Sequence, residues 1–301
     1  MKQVIIICGI LLLFGASVFS QGLEGKYYVL FRDSGPYVDS EFVFIGNTYE
    51  AKIFFDDDKI PSIIQNEVIY ENGGWKYTER GSFNIIEDDK VFYIEWIGSK
   101  VLSRYGIIYD ETEVLLYDRN RLVFWSGTTS KTENMFPRIT NISASSELRE
   151  NGITYSARNM LERQLPWVEG VNGYGIGESL TLTVQCIPND YFNYPFTGFI
   201  ISNGFVNFEH PDLYRKNSRA KIIEVIAPNG ITKEYLLADT SLFQTIELPE
   251  DMIMILNRNI ETFEYRIIIK DVYRGDLWED TCINIIDTIV PAHYHHRNLD
   301  N

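Results

Sequence analysis

A short segment at 165–184, LPWVEGVNGYGIGESLTLTV, brings together residue types that can bind a sugar. Trp167 and Tyr174 offer flat apolar rings for the C–H side of a sugar ring, and Glu169 offers a polar group for its hydroxyls. The alternative is structural, with Trp167 in the core and Glu169 bonded to neighbouring backbone. The glycines do not predict a nucleotide loop, because such loops open a helix, whereas SLTLTV alternates as a strand does.

Three polar residues further along the chain are the other candidates for ligand binding. Asn203, in SNGF, can both donate and accept hydrogen bonds, although a hairpin turn explains the same sequence. Asn217 and Arg219 belong to the basic segment KNSRAK in an otherwise acidic chain. Arg219 can form two parallel hydrogen bonds with a carboxylated sugar. A structural ion pair with Asp212 or Glu209 is the alternative.

Catalytic and metal-binding patterns are weak in this sequence. His210 is the only histidine outside the C-terminal tail, and neither a GxSxG segment nor a cysteine–histidine pattern is present. The tail histidines His293, His295 and His296 suit only adventitious metal binding, and the acidic run at 56–58 lacks the alternating spacing of a calcium loop. We therefore expect a protein that is not an enzyme, with no catalytic residues, no cofactor and no metal site.

The overall composition narrows the classes of partner. The chain has 301 residues, a formal net charge of −15 and a hydrophobic fraction of 45%, which is enough to bury a sizeable core and suits two domains. The negative charge repels nucleic acid and anionic membranes. Neutral sugars or a basic protein face therefore stay open as partners, and the sequence identifies no protein partner for the N-terminal half.

Residues 1–20, MKQVIIICGILLLFGASVFS, have the basic start, apolar run and small final residues of a signal peptide cleaved after Ser20. The apolar run is shorter than the roughly 20 residues that span a bilayer. We expect a secreted or periplasmic protein, or one associated with the cell surface, with no stable membrane span after signal removal. That compartment permits disulfides, so Cys186 and Cys282 form either a bridge or two buried free thiols.

The segments that must position these residues are almost all short strands. In 22–127, turns recur at about ten-residue spacing, which predicts an antiparallel up-and-down barrel of about eight strands. A polar linker occupies 128–138. Residues 139–290 have longer strands and wider loops, as in a jelly-roll β-sandwich, and only SARNMLERQL has a helical pattern. The predicted fold class is all-β, and 291–301 form a tail.

Four blocks in the second half, in one order, resemble a known family. They are ITNISASSELRE with YSARNML, PWVEGVNGYGIGES, GFIISNGF with LYRKNSRAKIIEV, and IIIKDVYRGDLWEDTCINII. This half resembles the discoidin-like (F5/8 type C) domain named after the translocation module of bacterial NAD glycohydrolases. Departures concern the loops, such as LERQLP before the tryptophan and Ser179 in place of a second tryptophan. The resemblance implies a galactose-binding-like β-sandwich that binds carbohydrate without catalysis.

The first half resembles lipocalin-type barrels only weakly, in LEGKYYVLF and GSFNIIEDDKVFYIEW. Our leading hypothesis is a secreted, non-catalytic carbohydrate-binding protein whose C-terminal module docks on a glycan or glycoconjugate. The alternative is a lipocalin-like carrier of a small ligand with an appended surface-targeting module. Under the first hypothesis Trp75, Trp96 and Trp125 fill a solid core, and under the second they line a cavity.

Overall fold

The computed structural model shows an all-β protein, which confirms the predicted fold class. The chain divides into two compact units, one containing the N-terminal sheet and one containing the C-terminal sheets. The predicted signal peptide, most of the linker, the acidic run at 56–58 and the histidine-containing tail lie outside the described residues. The structure describes residues 25–29, 37–55, 60–71, 74–102, 104–109, 114–125, 137–163, 165–186, 196–254 and 261–289.

Nine strands lie in the described part of the N-terminal unit. They are β1 (Gly25–Val29), β2 (Tyr37–Ile45), β3 (Thr48–Phe55), β4 (Ile69–Glu71), β5 (Gly74–Asp88), β6 (Val91–Ile97), β7 (Tyr105–Tyr109), β8 (Val114–Asp118) and β9 (Arg121–Trp125), with a 3₁₀ turn at Ser62–Ile64. They form one antiparallel sheet, curled into a half-barrel, in the order β1-β2-β3-β5-β6-β7-β8-β9, and β4 pairs with β5. Chain order and sheet order agree, as the regular turn spacing predicts.

Strand β3 shows how the sequence alternation becomes a buried face. Tyr49, Ala51, Ile53 and Phe55 are buried, and the residues between them are partly exposed. A period of two turns one face of a strand to the core. Strand β5 is longer than GSFNIIE alone predicts, because the preceding GWKYTER pairs with β3 and continues the strand.

Aromatic rings pack together inside the N-terminal unit. The ring centres of Trp96 and Phe44 lie 6.0 Å apart, and those of Trp96 and Tyr49 lie 4.7 Å apart in an edge-on arrangement. Rings at these distances are in direct contact and leave no room for a ligand between them. Trp96 therefore belongs to a packed core. Trp75 is partly buried, and the side chain of Trp125 lies outside the described residues.

The C-terminal unit contains the remaining elements. They are β10 (Arg138–Ala144), β11 (Arg149–Glu150), β12 (Ile153–Thr154), α1 (Asn159–Glu162), β13 (Trp167–Val168), β14 (Ser179–Cys186), β15 (Gly198–Asn203), α2 (Asp212–Lys216), β16 (Ser218–Ile226), β17 (Thr232–Leu236), β18 (Phe243–Glu247), β19 (Glu261–Tyr273) and β20 (Thr281–Thr288), with a 3₁₀ turn at Glu250–Met252. Arg138, which the sequence placed at the end of the linker, is thus the first residue of β10.

In the described part of this unit, nine strands form one continuous sheet whose two halves bury their side chains in one shared core, and β11 and β12 pair separately. We call the two halves layers: one is β10-β14-β19-β16 with β17, and the other is β20-β15-β18 with β13. They join where β16 and β20 pair in parallel, Ser218 with Thr281 and Arg219 with Cys282. The buried side chains between the layers include Leu180, Leu182, Val184, Phe199, Ile201, Tyr265, Ile267 and Ile283.

Both helices of the C-terminal unit are short. SARNMLERQL predicts a longer helix than α1, which ends where Arg163 adopts a left-handed conformation with φ of 55°. Helix α2 was not predicted, because five residues are too few to show a helical period. The residues at both ends of α2 favour a helix. Pro211 precedes the first turn, and the positive side chains of Arg215 and Lys216 lie in the last turn, beside the negative end of the helix dipole.

Of the two alternatives for Cys186 and Cys282, the structure shows the pair of buried free thiols and not the bridge. Cys186 pairs with Glu261 at the start of β19, whereas Cys282 lies beside Arg219, which pairs with Tyr273 at the end of β19. Along β19, Glu261 and Tyr273 lie roughly 40 Å apart, so the two cysteines beside these ends are far apart as well. A disulfide requires Cα atoms within about 7 Å of each other. Burial raises the pKa of the Cys186 thiol to about 11 and that of Cys282 well above its usual range.

Alkylation should show that Cys186 and Cys282 are both free thiols. We expect slow labelling of the native chain, because both sulfurs are buried and the reactive thiolate is disfavoured. Denaturant without reductant should expose Cys186 and Cys282 together. Intact-mass spectrometry after iodoacetamide treatment should then show both labels, and labelling that requires prior reduction would contradict the structure.

Candidate functional site

The loops at the joined end of the sandwich form one surface. Strands β14 and β20 begin there and β15 and β19 end there, which places Ser179, Thr281, Asn203 and Tyr273 at the same end of the unit. All six predicted ligand residues lie in this region or next to it, although they come from different parts of the chain. We call this surface the rim, and it comprises the loops at 169–178, 204–217, 237–242 and 274–280.

Trp167 is a core residue. Its side chain is fully buried between the layers, and its indole N–H donates a hydrogen bond to the carbonyl oxygen of Ser146 at 2.9 Å. Strand β13 fixes the backbone by pairing Trp167 with Ile283. The structural alternative for this tryptophan is therefore correct, and its ring face is not available to a sugar.

Glu169 organises the glycine loop from the inside. Its Oε2 accepts a hydrogen bond from the backbone N–H of Val171 at 2.8 Å, and its Oε1 accepts one from Thr281 at 3.2 Å. Burial raises the pKa of this carboxyl, although the two amide donors act in the opposite direction. Gly175 has a φ of 63°, and a Cβ there would lie 2.5 Å from Cγ of Glu169. The glycine is thus required so that the buried carboxylate can tie the loop to β20.

Arg219 directs its guanidinium into the protein. Its Nε and Nη2 donate to the two carboxylate oxygens of Asp239 at 3.1 and 3.0 Å. Its Nη1 donates to the carbonyl oxygens of Asn217 and Arg274 at 2.9 and 3.3 Å. The guanidinium carbon also lies 5.3 Å from the ring centre of Tyr214. One buried side chain therefore fixes three segments of the rim.

The ion pair of Arg219 differs from the two that the sequence suggested. Asp212 pairs with Lys216 one turn along α2, and Arg219 takes Asp239 instead of Asp212 or Glu209. Asp239 lies in the loop between β17 and β18, and only the folded chain brings it to Arg219. The two carboxylate oxygens of Asp239 already accept hydrogen bonds from Nε and Nη2 of Arg219. These two donors are therefore not available to a carboxylated sugar.

The two predicted asparagines are also used inside the protein. Asn203 donates from Nδ2 to the carbonyl oxygen of Ala220 at 2.6 Å, and its Oδ1 accepts a hydrogen bond from Gly204. Asn217 donates from Nδ2 to the carbonyl oxygen of Leu213 at 2.9 Å and closes the end of α2. Both side chains are buried. Asn203 and Asn217 therefore stabilise turns at the rim and do not face solvent.

Of the six predicted ligand residues, Tyr174 alone keeps part of its side chain accessible. The guanidinium carbon of Arg274 lies 4.8 Å from the centre of its ring, and Arg274 is exposed. The carbonyl oxygen of Tyr174 accepts a hydrogen bond from the hydroxyl of Thr281 at 2.8 Å. These contacts place the glycine loop beside the loop at 274–280.

Four exposed apolar side chains on these two neighbouring loops were not predicted as site residues. Trp278 is 39% exposed and Leu277 is 60% exposed, and Val171 and Ile176 are exposed on the glycine loop. Large apolar groups that are exposed together commonly mark a binding surface. A sequence signal did exist, because the tryptophan in GDLWED stands among charged residues where a core residue is not expected.

Backbone contacts fix the loop that presents Trp278. The hydroxyl of Ser218 donates to the carbonyl oxygen of Trp278 at 3.2 Å and accepts a hydrogen bond from the N–H of Gly275 at 3.0 Å. The N–H of Trp278 donates to the carbonyl oxygen of Lys216 at 2.9 Å. A Cβ on Gly275 would lie 2.3 Å from that same oxygen, so glycine is required for the approach. The exposed indole therefore sits on a preorganised backbone.

Comparison with known proteins identifies the domain that carries the rim. The sequence model of the NAD glycohydrolase translocation F5/8 type C domain matches residues 136–288, half of the chain. The chain belongs to this family. The resemblance of the four sequence blocks is thus confirmed, and the F5/8 type C domain includes all strands from β10 to β20 and every loop of the rim. No curated protein matches the chain.

Metal-binding clusters and membrane-spanning helices were sought in the same described ranges. These ranges contain no group of three histidine, cysteine, aspartate or glutamate side chains placed to hold a metal ion. They also contain no helix of the length and apolar character needed to cross a membrane. The tail histidines and the acidic run at 56–58 fall outside them, so the expectation that neither is a metal site stays a prediction.

Proposed function

We propose that this protein is a secreted, non-catalytic carbohydrate-binding protein whose F5/8 type C domain docks on a glycan or glycoconjugate through the rim. The main support is the exposed indole of Trp278 on a loop held by backbone hydrogen bonds. A fixed aromatic ring stacks on the C–H face of a sugar with little loss of conformational freedom.

The groups near Trp278 supply both kinds of contact that a sugar needs. Leu277 and Ile176 extend the apolar surface, and both are exposed. Arg274 and Asn172 are exposed on the same two loops and can hydrogen-bond to hydroxyl groups. Apolar surface with a few directed polar groups is the usual composition of a small-ligand site.

The charges of the rim favour a neutral sugar. Asp276 and Glu279 are exposed on the same loop as Trp278, and the whole chain has a net charge of −15. These charges repel a carboxylated or sulfated glycan. The nearby positive groups are partly neutralised, because Lys216, which lies 6.0 Å from the ring centre of Trp278, pairs with Asp212, and Arg215 pairs with Asp276. The proposed ligand is therefore a glycan whose accessible sugars are neutral.

We also propose that the protein is exported and that the rim has no catalytic activity. The signal-peptide pattern of residues 1–20 supports export, where glycans of cell surfaces are accessible. The buried carboxyl group of the rim, Glu169, already accepts hydrogen bonds from two backbone amides and does not face solvent. This arrangement supports a structural role for Glu169 and a binding role for the rim.

Replacing Trp278 with alanine is the test of this proposal. A glycan array with the mature full-length protein first identifies a neutral glycan that binds. Trp278→Ala should then weaken that binding by about 1–3 kcal/mol, roughly 5- to 150-fold, because the stacking face is lost. The melting temperature should fall by only a few degrees, since the side chain is 39% exposed and lies outside the core. Titration calorimetry and thermal denaturation measure the two effects.

Tyr70→Ala provides the matched control, because Tyr70 is an exposed aromatic residue of the N-terminal unit. It should leave glycan affinity unchanged. An array on which no neutral glycan binds would contradict the proposed function. Full affinity in Trp278→Ala would show that the rim is not the site.

A further inference from the structure

A second concave surface lies on the side of the C-terminal sandwich. It is a groove of about 600 Å³ between strands β14 and β19 and the turn that joins β16 to β17. We call it the lateral groove, and its lining includes Thr181, the turn residues 226–228 and 230, and the strand segment 262–266. Arg266 lies at its centre, paired with Thr181 on one side and Ile226 on the other. None of these residues belongs to the rim.

The floor of the groove presents an acceptor and a donor side by side. Thr262, Glu264 and Arg266 are exposed at alternate positions of β19, so they share one face, with Cα atoms of successive members about 7 Å apart. Within the described part of the chain, the Glu264 carboxylate has no hydrogen-bond or ion-pair partner. Arg266 donates from Nε to the hydroxyl of Ser179 at 3.1 Å, which leaves its two terminal nitrogens for a ligand.

The wall of the groove is apolar and rigid. The N–H of Gly230 donates to the carbonyl oxygen of Ala227 at 2.9 Å, which closes the turn. Asn229 donates from Nδ2 to the carbonyl oxygen of Asp251 at 2.6 Å and anchors the turn to the neighbouring 3₁₀ segment. Pro228 is exposed between these two anchors. A fixed proline ring beside polar groups can pack on the C–H face of a sugar.

The strand pairing argues against a peptide as the occupant. A peptide binds a sheet by adding a strand to a free edge. Here β14 is already paired with β10 and β19, and β19 is paired with β14 and β16. The floor therefore has no unpaired backbone for a peptide strand, and only its side chains can recognise a ligand.

The charges of the floor argue against an ionic ligand. An anion that approaches Arg266 meets the carboxylate of Glu264, and a cation that approaches Glu264 meets the guanidinium of Arg266. A neutral ligand with many hydroxyl groups can bond to both, because each hydroxyl both donates and accepts. The hydroxyl groups of Thr181 and Thr262 add further partners of the same kind.

We propose that the lateral groove is a second carbohydrate site, which binds a neutral oligosaccharide. Glu264 accepts hydrogen bonds from the sugar, Arg266 donates hydrogen bonds to it, and Pro228 packs on a ring face. The site is independent of the rim, and it does not require the rim to bind a glycan. A polysaccharide long enough to reach both surfaces would bind more tightly than either site alone allows.

The test uses the mature full-length protein labelled with ¹⁵N and four neutral trisaccharides, which are maltotriose, cellotriose, mannotriose and triacetylchitotriose. We expect at least one of them to shift the backbone amide signals of Thr181 and of the segment 262–266. Glu264→Gln and Arg266→Met should each weaken that binding about tenfold or more, because each removes a hydrogen bond to a charged group. Glu247→Gln and Lys270→Met are matched controls on exposed strand positions outside the groove.

The experiment tests carbohydrate binding at the lateral groove independently of binding at the rim. Trp278→Ala should leave the shifts in 262–266 unchanged, so the failure of one site does not imply the failure of the other. The absence of shifts in this segment at millimolar concentrations of all four trisaccharides would overturn the proposal. Unchanged affinity in Glu264→Gln and Arg266→Met, or equal shifts with trialanine, would also overturn it.

Discussion

Replacing Trp167 with alanine should lower the free energy of unfolding of the C-terminal unit by about 3–5 kcal/mol. The side chain is fully buried between the two layers, and its removal leaves a cavity that the paired strands β13 and β20 cannot close. It also leaves the carbonyl oxygen of Ser146 without its indole donor. Urea unfolding of the full-length protein, followed by the amide signals of β14 and β20, measures the change.

Two variants separate the parts of this effect. Trp278→Ala removes the same side chain from a position where 39% of it is exposed, and it should lower the free energy of unfolding by about 1 kcal/mol, well below the effect of Trp167→Ala. Trp167→Phe keeps most of the apolar volume but loses the hydrogen bond to Ser146, so its cost should be smaller than that of Trp167→Ala. A loss below about 1 kcal/mol in Trp167→Ala would contradict the core position of this ring.

Replacing Arg219 with methionine should destabilise the same unit by about 2–4 kcal/mol. The change leaves the Asp239 carboxylate without its partner, and it removes the donor shared by the carbonyl oxygens of Asn217 and Arg274. The expected cost is below that of a fully buried pair, because the Asp239 side chain is 31% exposed. Urea unfolding is again the measurement.

A double mutant tests whether the cost arises from the unpaired charge. Arg219→Met combined with Asp239→Asn should be less destabilised than the sum of the two single changes, because no uncompensated carboxylate is left. Arg215→Met is the matched control, since Arg215 is exposed and its distance to Asp276 is 3.4 Å, typical of a weak surface pair. Strict additivity of the two changes would contradict a direct pair between Arg219 and Asp239.

Most strands of this protein were readable from local sequence, although β10 to β13 were not among the predicted strands. The alternation in TYEAKIFF and SLTLTVQC gives β3 and β14, and TFEYRIIIKDVY gives β19. The alternation of apolar and polar residues is visible within a short segment. In any sheet, burial of the apolar face stabilises a segment with this pattern as a strand. The short helix α2 escaped prediction, because five residues carry no period and its position depends on contacts with β16 and the loop at 274–280.

The candidate site was readable only in part. The sequence pointed to residues that the fold brings to one end of the sandwich, since the segments containing Glu169, Asn203 and Arg219 all lie at the rim. It did not show that these polar groups are buried, because their partners are far away in the chain. Arg219 bonds to Asp239, and Glu169 accepts a hydrogen bond from Thr281.

The sequence by itself determined the all-β class and the F5/8 type C family of the second half, because both depend on local periods and on ordered blocks of residues. The tertiary structure decided which side chains point outward. It buried Trp167 and exposed Trp278, two tryptophans that composition alone does not distinguish. It also separated Cys186 from Cys282 by the length of β19. Exposure and long-range pairing depend on how strands stack and register, which no short segment specifies.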